Sequence, residues 1–174
     1  VCRPCDSHEL TACYNIALNS TLPTCLVLSR QDLTEQKIEP TKAMKGGYVL
    51  EKDSGKPQFV LYATGSEVEL AMGVKREFNK LGVKCAVVSF PCIEEFERQT
   101  ESYKNSTLMK ECKYRFAIEA SSDNVWYKYV GNDGKVINIT KFGKSGKGSD
   151  VYKRYGFSVA NIKKEIMKTA KINI

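Results

Sequence analysis

The chain has 174 residues, 42% of them hydrophobic and 27% charged, enough to bury one core of ordinary domain size with a short stretch to spare. No run of about 18 apolar residues occurs, so the sequence contains no membrane-spanning helix. The net charge of +7 is confined to one end: residues 141–174 carry nine Lys or Arg against Asp150 and Glu165, while residues 1–140 hold 18 charges of each sign.

The sequence opens at Val1 with neither a start methionine nor a leader, so a fragment of a longer protein is expected. "CRPC" at 2–5 has redox spacing but lacks the preceding strand that such a motif needs, and the single histidine, His8, leaves a zinc set incomplete. An odd number of cysteines, seven, scattered along the chain fits reduced thiols and a cytoplasmic location. Asp6 and Glu9 read as a capping-box variant opening a helix whose apolar stripe is Leu10, Cys13, Tyr14, Ala17 and Leu18. Residues 24–29, with the apolar run Cys25 to Leu28, predict a strand buried on both faces that ends in Ser29 and Arg30. Ligands of open α/β sheets gather at carboxyl ends of strands, where a guanidinium forks onto a phosphate or carboxylate; a solvated arginine is the plainer alternative.

Residues 32–47 are polar, contain Pro40 and end in a glycine pair, the composition of a linker. Beyond them strands are predicted at 48–51, 57–63, 83–89, 114–119 and 135–139, and helices at 66–80, about 93–106, 123–130 and 158–171. This alternation predicts a three-layer α/β/α domain with a mostly parallel sheet of about five strands, preceded by a helix-strand remnant of another α/β domain. Ala71, Val74, Phe78 and Leu81 mark the buried stripe of one helix, and Val159, Ile162, Ile166 and Ala170 that of the last, capped by Ser158.

The turn "ATGSEVELA" at 63–71 has one glycine, and a Ser66–Glu69 capping box with Glu67 beside it would repel a phosphate, so the turn reads as structural. "KFGKSGKGSD" at 141–150 fails as a phosphate loop because Ser149 stands where the lysine is required. Glu119 reads as an exposed strand-end carboxylate, Trp126, Tyr127 and Tyr129 as a packing or subunit-contact patch, and the sequons at Asn19, Asn105 and Asn138 as incidental. The basic tail reads as a solvated face, with no nucleic acid and no membrane as partner.

In order, "RPCDSHE" (3–9), "LSRQDL" (28–33), "GGYVL" (46–50), "ATGSEVELA" (63–71), "YKYVG" (127–131), "FGKSG" (142–146) and "YGFSV" (155–159) resemble the C-terminal part of transketolase. The resemblance implies a transferase that moves a two-carbon ketol unit from a ketose phosphate to an aldose phosphate in the pentose phosphate pathway. It also implies thiamine diphosphate with Mg or Ca in the full-length enzyme, and a homodimer with active sites between subunits. On it, 1–34 is the tail of the thiamine pyrimidine-binding domain, 35–45 a linker and 46–174 the C-terminal domain. Arg30, the arginine of "LSRQ", is then the substrate-phosphate-binding residue, and Asp32 replaces the family's usual Asn beside it. Catalytic, cofactor-binding and metal residues belong upstream, so the resemblance assigns none to this chain and implies a fragment inactive alone with a dimer-packing role. Arg3, Asp6 and Glu9 are left to capping and local ion pairing. The competing reading is a stand-alone α/β binding or regulatory module that docks an acidic partner through the basic tail.

Overall fold

Period-two burial organises the centre of the chain. In β2 (Phe59–Ala63), all five residues are buried, with Phe59, Leu61 and Ala63 facing one layer and Val60 and Tyr62 the other. The computed structural model describes residues 1–172. Its sheet has five strands in the order β1-β3-β2-β4-β5, the others being β1 (Tyr48–Lys52), β3 (Cys85–Ser89), β4 (Tyr114–Glu119) and β5 (Lys135–Asn138). All neighbours are parallel except β1, which pairs antiparallel with β3 along one edge. The expected three-layer α/β/α architecture is therefore present.

The two faces are covered by different connections. Helix α3 (Glu67–Asn79) and the last helix, α8 (Val159–Ala170), bury Val68, Ala71, Val74, Phe78, Ile162 and Ile166 against Phe59, Leu61, Val87 and Phe116. On the other face lie α4 (Ile93–Glu97), α5 (Glu101–Leu108) and α6 (Tyr127–Val130), with Phe96, Leu108, Trp126 and Tyr129 packed on Val60, Tyr62, Val88 and Ala117. Tyr62 donates to the Leu108 carbonyl at 2.6 Å, which satisfies its hydroxyl inside this layer. Trp126 and Tyr129 are core residues as expected, whereas Tyr127 is exposed.

Several elements depart from the sequence expectations. The helix expected over 93–106 breaks after Glu97, and Thr100 caps a second helix by accepting from the Tyr103 N–H at 3.3 Å. The helix expected over 123–130 shortens to the single turn α6, and Leu81 lies beyond the end of α3, 40% exposed. The polar segment 32–47 is more than a linker: it buries Ile38 and Ala43 and forms the short helix α2 (Pro40–Ala43). The basic loop ends in another helix, α7 (Gly148–Arg154).

The first segment differs most. Residues 24–29 form no extended strand; their one pairing is a bridge of Leu26 with Cys2, and Val27 and Leu28 are exposed. Within the described residues no further strand lies beside them, so of their apolar side chains only Leu26 is partly covered, by the cluster of Cys2, Cys13 and Cys92. Helix α1 (Ser7–Asn19) forms behind the expected Asp6 cap, whose carboxylate accepts from the Glu9 N–H at 2.8 Å, but it buries another stripe. Glu9, Ala12 and Cys13 are buried with Ile16 packed beside them, while Tyr14 and Leu18 face outward. A carboxylate replaces an apolar side chain at the first position of the true stripe, which hides the period from a hydrophobicity count.

Glu9 does not close the capping box. Its Oε2 accepts from the Cys5 N–H at 2.7 Å, and its Oε1 accepts from the hydroxyls of Tyr48 at 2.8 Å and Ser89 at 2.5 Å. The carboxylate thus fastens the N-terminal segment to β1 and β3, a non-local role in place of the local one expected. Burial pushes the Glu9 carboxyl up, against these donors. A raised folded-state value means that its contribution to stability is full at low pH and is lost as pH rises through that value. Glu9→Ala is expected to cost about 2–4 kcal/mol by stranding three buried donors. Glu9→Gln is expected to cost less, because its carbonyl serves the Cys5 N–H and its amide serves the two hydroxyls, which can turn to accept. Urea unfolding from pH 4 to 8 checks both: the glutamine variant should also lose the fall in stability with rising pH contributed by Glu9.

Candidate functional site

The chain crosses the carboxyl ends of the parallel strands at Arg3. Its N–H donates to the Pro91 carbonyl at 2.8 Å beyond β3, and its carbonyl accepts from the Gly65 N–H at 3.1 Å beyond β2. The Thr64 hydroxyl donates to the Phe90 carbonyl at 2.8 Å, so the loops after β2 and β3 are tied to each other as well. This is the place where α3 leaves β2 over one face and α6 follows β4 over the other. Crevices form at such reversals because the two connections diverge and leave the strand ends uncovered.

The guanidinium of Arg3 lies between two buried carboxylates. Nη1 donates to Glu119 Oε1 at 2.6 Å and Nη2 stands 3.8 Å from Glu67 Oε2; both acids are 1% exposed at the side chain. Glu119 is therefore not the exposed strand-end carboxylate expected, and Arg3 pairs across 116 residues, not locally. Burial pushes the Glu119 carboxyl up, with Arg3 as the main opposing influence. Glu67 also accepts from the Tyr152 hydroxyl of α7, which packs that helix against the start of α3. Burial and this neighbouring carboxylate hold the Tyr152 phenol up at about 12, so it remains a donor throughout the neutral range. Among the described residues, Glu67 Oε2 accepts no hydrogen bond. The expected Ser66–Glu69 box is absent: Ser66 is itself helical and its hydroxyl turns to Glu67, while Glu69 accepts from Thr34 at 2.7 Å.

Beside Arg3 opens a cavity of about 820 Å³, walled by Phe90, Ile93 and Trp126 on its apolar side and by Glu94, Glu97, Glu119, Asp123 and Lys128 on its polar side. Four carboxylates face two side-chain cations, and both cations are engaged: Arg3 by Glu119, and Lys128 by Glu97 at 2.9 Å. Such a wall repels phosphate and diphosphate groups. The charge missing there stands elsewhere. Arg30 lies on a bend outside this cavity, exposed, with no ion pair or side-chain hydrogen bond among the described residues. Next to it, the Ser29 hydroxyl donates to the Gln31 carbonyl at 2.9 Å and steadies the turn. Asp32 borders a separate cleft against α3, together with Glu69 and Arg76. The arrangement presents Arg30 as a free planar fork for an anion approaching from solvent.

The residues that the sequence singled out are thus divided. Arg3, Glu67 and Glu119 come together at the junction with Tyr152, which the sequence did not mark, while Arg30 stands apart. The signal for the junction was a charged residue, Glu119, closing the buried apolar run "FAI" of β4, which needs a counter-charge from elsewhere in the chain.

Residues 46–158 match the family described as the transketolase-like TK C-terminal domain. A transketolase of Aquifex aeolicus is 40% identical over 97% of this chain, and transketolase 1 of Vibrio parahaemolyticus 40% identical over 92%. The solved transketolase of Pichia stipitis in complex with sedoheptulose 7-phosphate superposes with a TM-score of 0.90 at 34% identity over 98% of this chain. Each match covers 25% of the relative, so the chain spans about a quarter of the length of these proteins.

Removal of the Arg3 side chain leaves two buried carboxylates without their cation. Arg3→Ala is expected to destabilise the chain by about 2–3 kcal/mol, the range for a buried pair reduced for a guanidinium that is partly in solvent. The deficit should shrink as pH falls, because protonation of Glu119 relieves the uncompensated charge. Denaturant midpoints of parent and variant at pH 5 and pH 8 check the direction; an equal loss at both would mean that packing, not charge, is what Arg3 supplies.

Proposed function

The chain belongs to the transketolase family, and we propose that it forms the C-terminal part of an enzyme that transfers a two-carbon ketol unit from a ketose phosphate to an aldose phosphate. The observation that carries the reading is an exposed, unpaired guanidinium within "LSRQ", the motif whose arginine binds substrate phosphate in the resembling family. Arg30 holds the terminal phosphate and so orients the sugar. The acid-walled cavity at the strand ends does not take that group. Sedoheptulose 7-phosphate, seen with the Pichia stipitis relative, has the chemistry that such a contact recognises.

Thiamine diphosphate and its Mg or Ca ion supply the carbanion chemistry of the assembled enzyme. The large cavity does not fit a diphosphate, since its wall is acidic and its cations are already paired. We therefore assign this chain no cofactor contact and no catalytic residue, and give residues 46–174 a role in packing within a homodimeric, cytoplasmic enzyme of the pentose phosphate pathway. Residues 1–34 are the tail of the pyrimidine-binding domain, joined through 35–45. The alternative of a basic docking module has less support. The buried stripe of α8 leaves Lys164 and Lys168 on the solvent side, the placement of a solvated face.

In the full-length enzyme, Arg30→Ala should raise KM for phosphorylated sugars by about 10-fold to 150-fold, the equivalent of roughly 1.5–3 kcal/mol for a charge-assisted hydrogen bond. kcat should change less, because the phosphate is remote from the reacting carbonyl. Arg30→Lys should recover only part of the loss. With hydroxypyruvate and an unphosphorylated acceptor the variant should match the parent, and equal losses in both substrate classes would reject the phosphate role. Calorimetric titration of the isolated chain with thiamine diphosphate and magnesium should give no saturable heat; a micromolar isotherm would move the cofactor site into this chain.

A further inference from the structure

The only histidine of the chain stands where two carboxylates from different segments converge, outside both the Arg30 surface and the acidic cavity. We infer that Asp6, His8 and Glu35 form a site for a zinc-class divalent cation that joins residues 29–36, the segment bearing Arg30, to the first turn of α1. One ligand atom from each residue lies within 4.8 Å of the other two. His8 Nδ1 is 3.0 Å from Glu35 Oε2 and 3.7 Å from Asp6 Oδ2. Around a tetrahedral ion bound at about 2.0–2.1 Å, ligand atoms stand roughly 3.3–3.4 Å apart, between these two separations.

The site is held in place before any ion arrives. The Asp6 side chain is fully buried, and each of its oxygens accepts one backbone N–H: Oδ1 from Glu9 at 2.8 Å and Oδ2 from Gln36 at 2.9 Å. Each oxygen keeps a second lone pair for a metal. The Gln36 bond also positions the residue next to Glu35, so one ligand places another. His8 and Glu35 are 44% and 57% exposed, which leaves an approach from solvent and a fourth position for water. One imidazole with two carboxylates suits Zn²⁺, Co²⁺ or Ni²⁺; Mg²⁺ and Ca²⁺ prefer all-oxygen sets. A dication neutralises both carboxylates at once, whereas an imidazolium supplies a single charge. The N-terminal dipole of α1 opposes a cation here, and the Asp6 carboxylate that caps the helix offsets it.

The test uses Co²⁺, whose d–d bands report tetrahedral geometry and whose thiolate charge-transfer band would reveal binding at cysteine. The chain titrated with Co²⁺ should bind one equivalent in the micromolar range, about 10 μM, without a thiolate band. His8→Ala and Glu35→Gln should each weaken binding by about 10-fold to 100-fold. Both positions are largely exposed and lie outside the core, so these variants should fold; Zn²⁺ should raise the melting temperature of the parent and not that of His8→Ala. Three results would overturn the site: no binding up to millimolar Co²⁺, affinity unchanged in both variants, or a thiolate band that disappears in Cys25→Ser.

Discussion

Glu9 sits where the N-terminal segment, the edge strand β1 and the inner strand β3 meet, and its buried carboxylate accepts from all three at Cys5, Tyr48 and Ser89. Residues 1–36 share only a few small apolar side chains with the sheet domain: Cys5 and Ala12 join one of the two large clusters, and Cys2 and Cys13 meet Cys92 in a small one. Polar satisfaction therefore governs how the two parts meet. A hydrophobic contact tolerates sliding, but a carboxylate with three buried donors accepts one placement, because each lost bond leaves a desolvated group behind.

The Arg3 junction extends the same logic to the strand ends. Its backbone ties the loops after β2 and β3, its guanidinium compensates Glu119 and Glu67, and Glu67 holds Tyr152 of α7. Helix α7 exposes its basic residues and has no fully buried residue; Tyr152 packs partly on the core, and its hydroxyl adds a polar anchor at Glu67. Two carboxylates for one arginine leave the junction acid-rich, and the neighbouring cavity inherits that sign. Charge is thereby separated: carboxylates gather at the strand ends, and Arg30 stands exposed on a bend outside that crevice.

What the sequence and the tertiary structure each decided can be read from particular elements. The strands at 59–63, 85–89 and 114–119 were legible because a sheet covered on both faces demands unbroken apolar runs, and nothing later in folding alters that demand. The stripe of α8 and the Asp6 cap were legible for a similar reason, since periodicity and capping are local. The motifs from "RPCDSHE" to "YGFSV" carried the family, which the match over 46–158 shows. Tertiary structure alone decided which face of α1 is buried, since Tyr14 and Leu18 are as apolar as Ala12 and Cys13 and only the location of a partner surface distinguishes them. It likewise decided that 24–29 stays unpaired apart from one bridge, and that Glu119, Glu67 and Arg3 form one cluster. Their charges are visible in the sequence, but a salt bridge spanning 116 residues depends on where strand β4 ends in space, and no local spacing encodes that position.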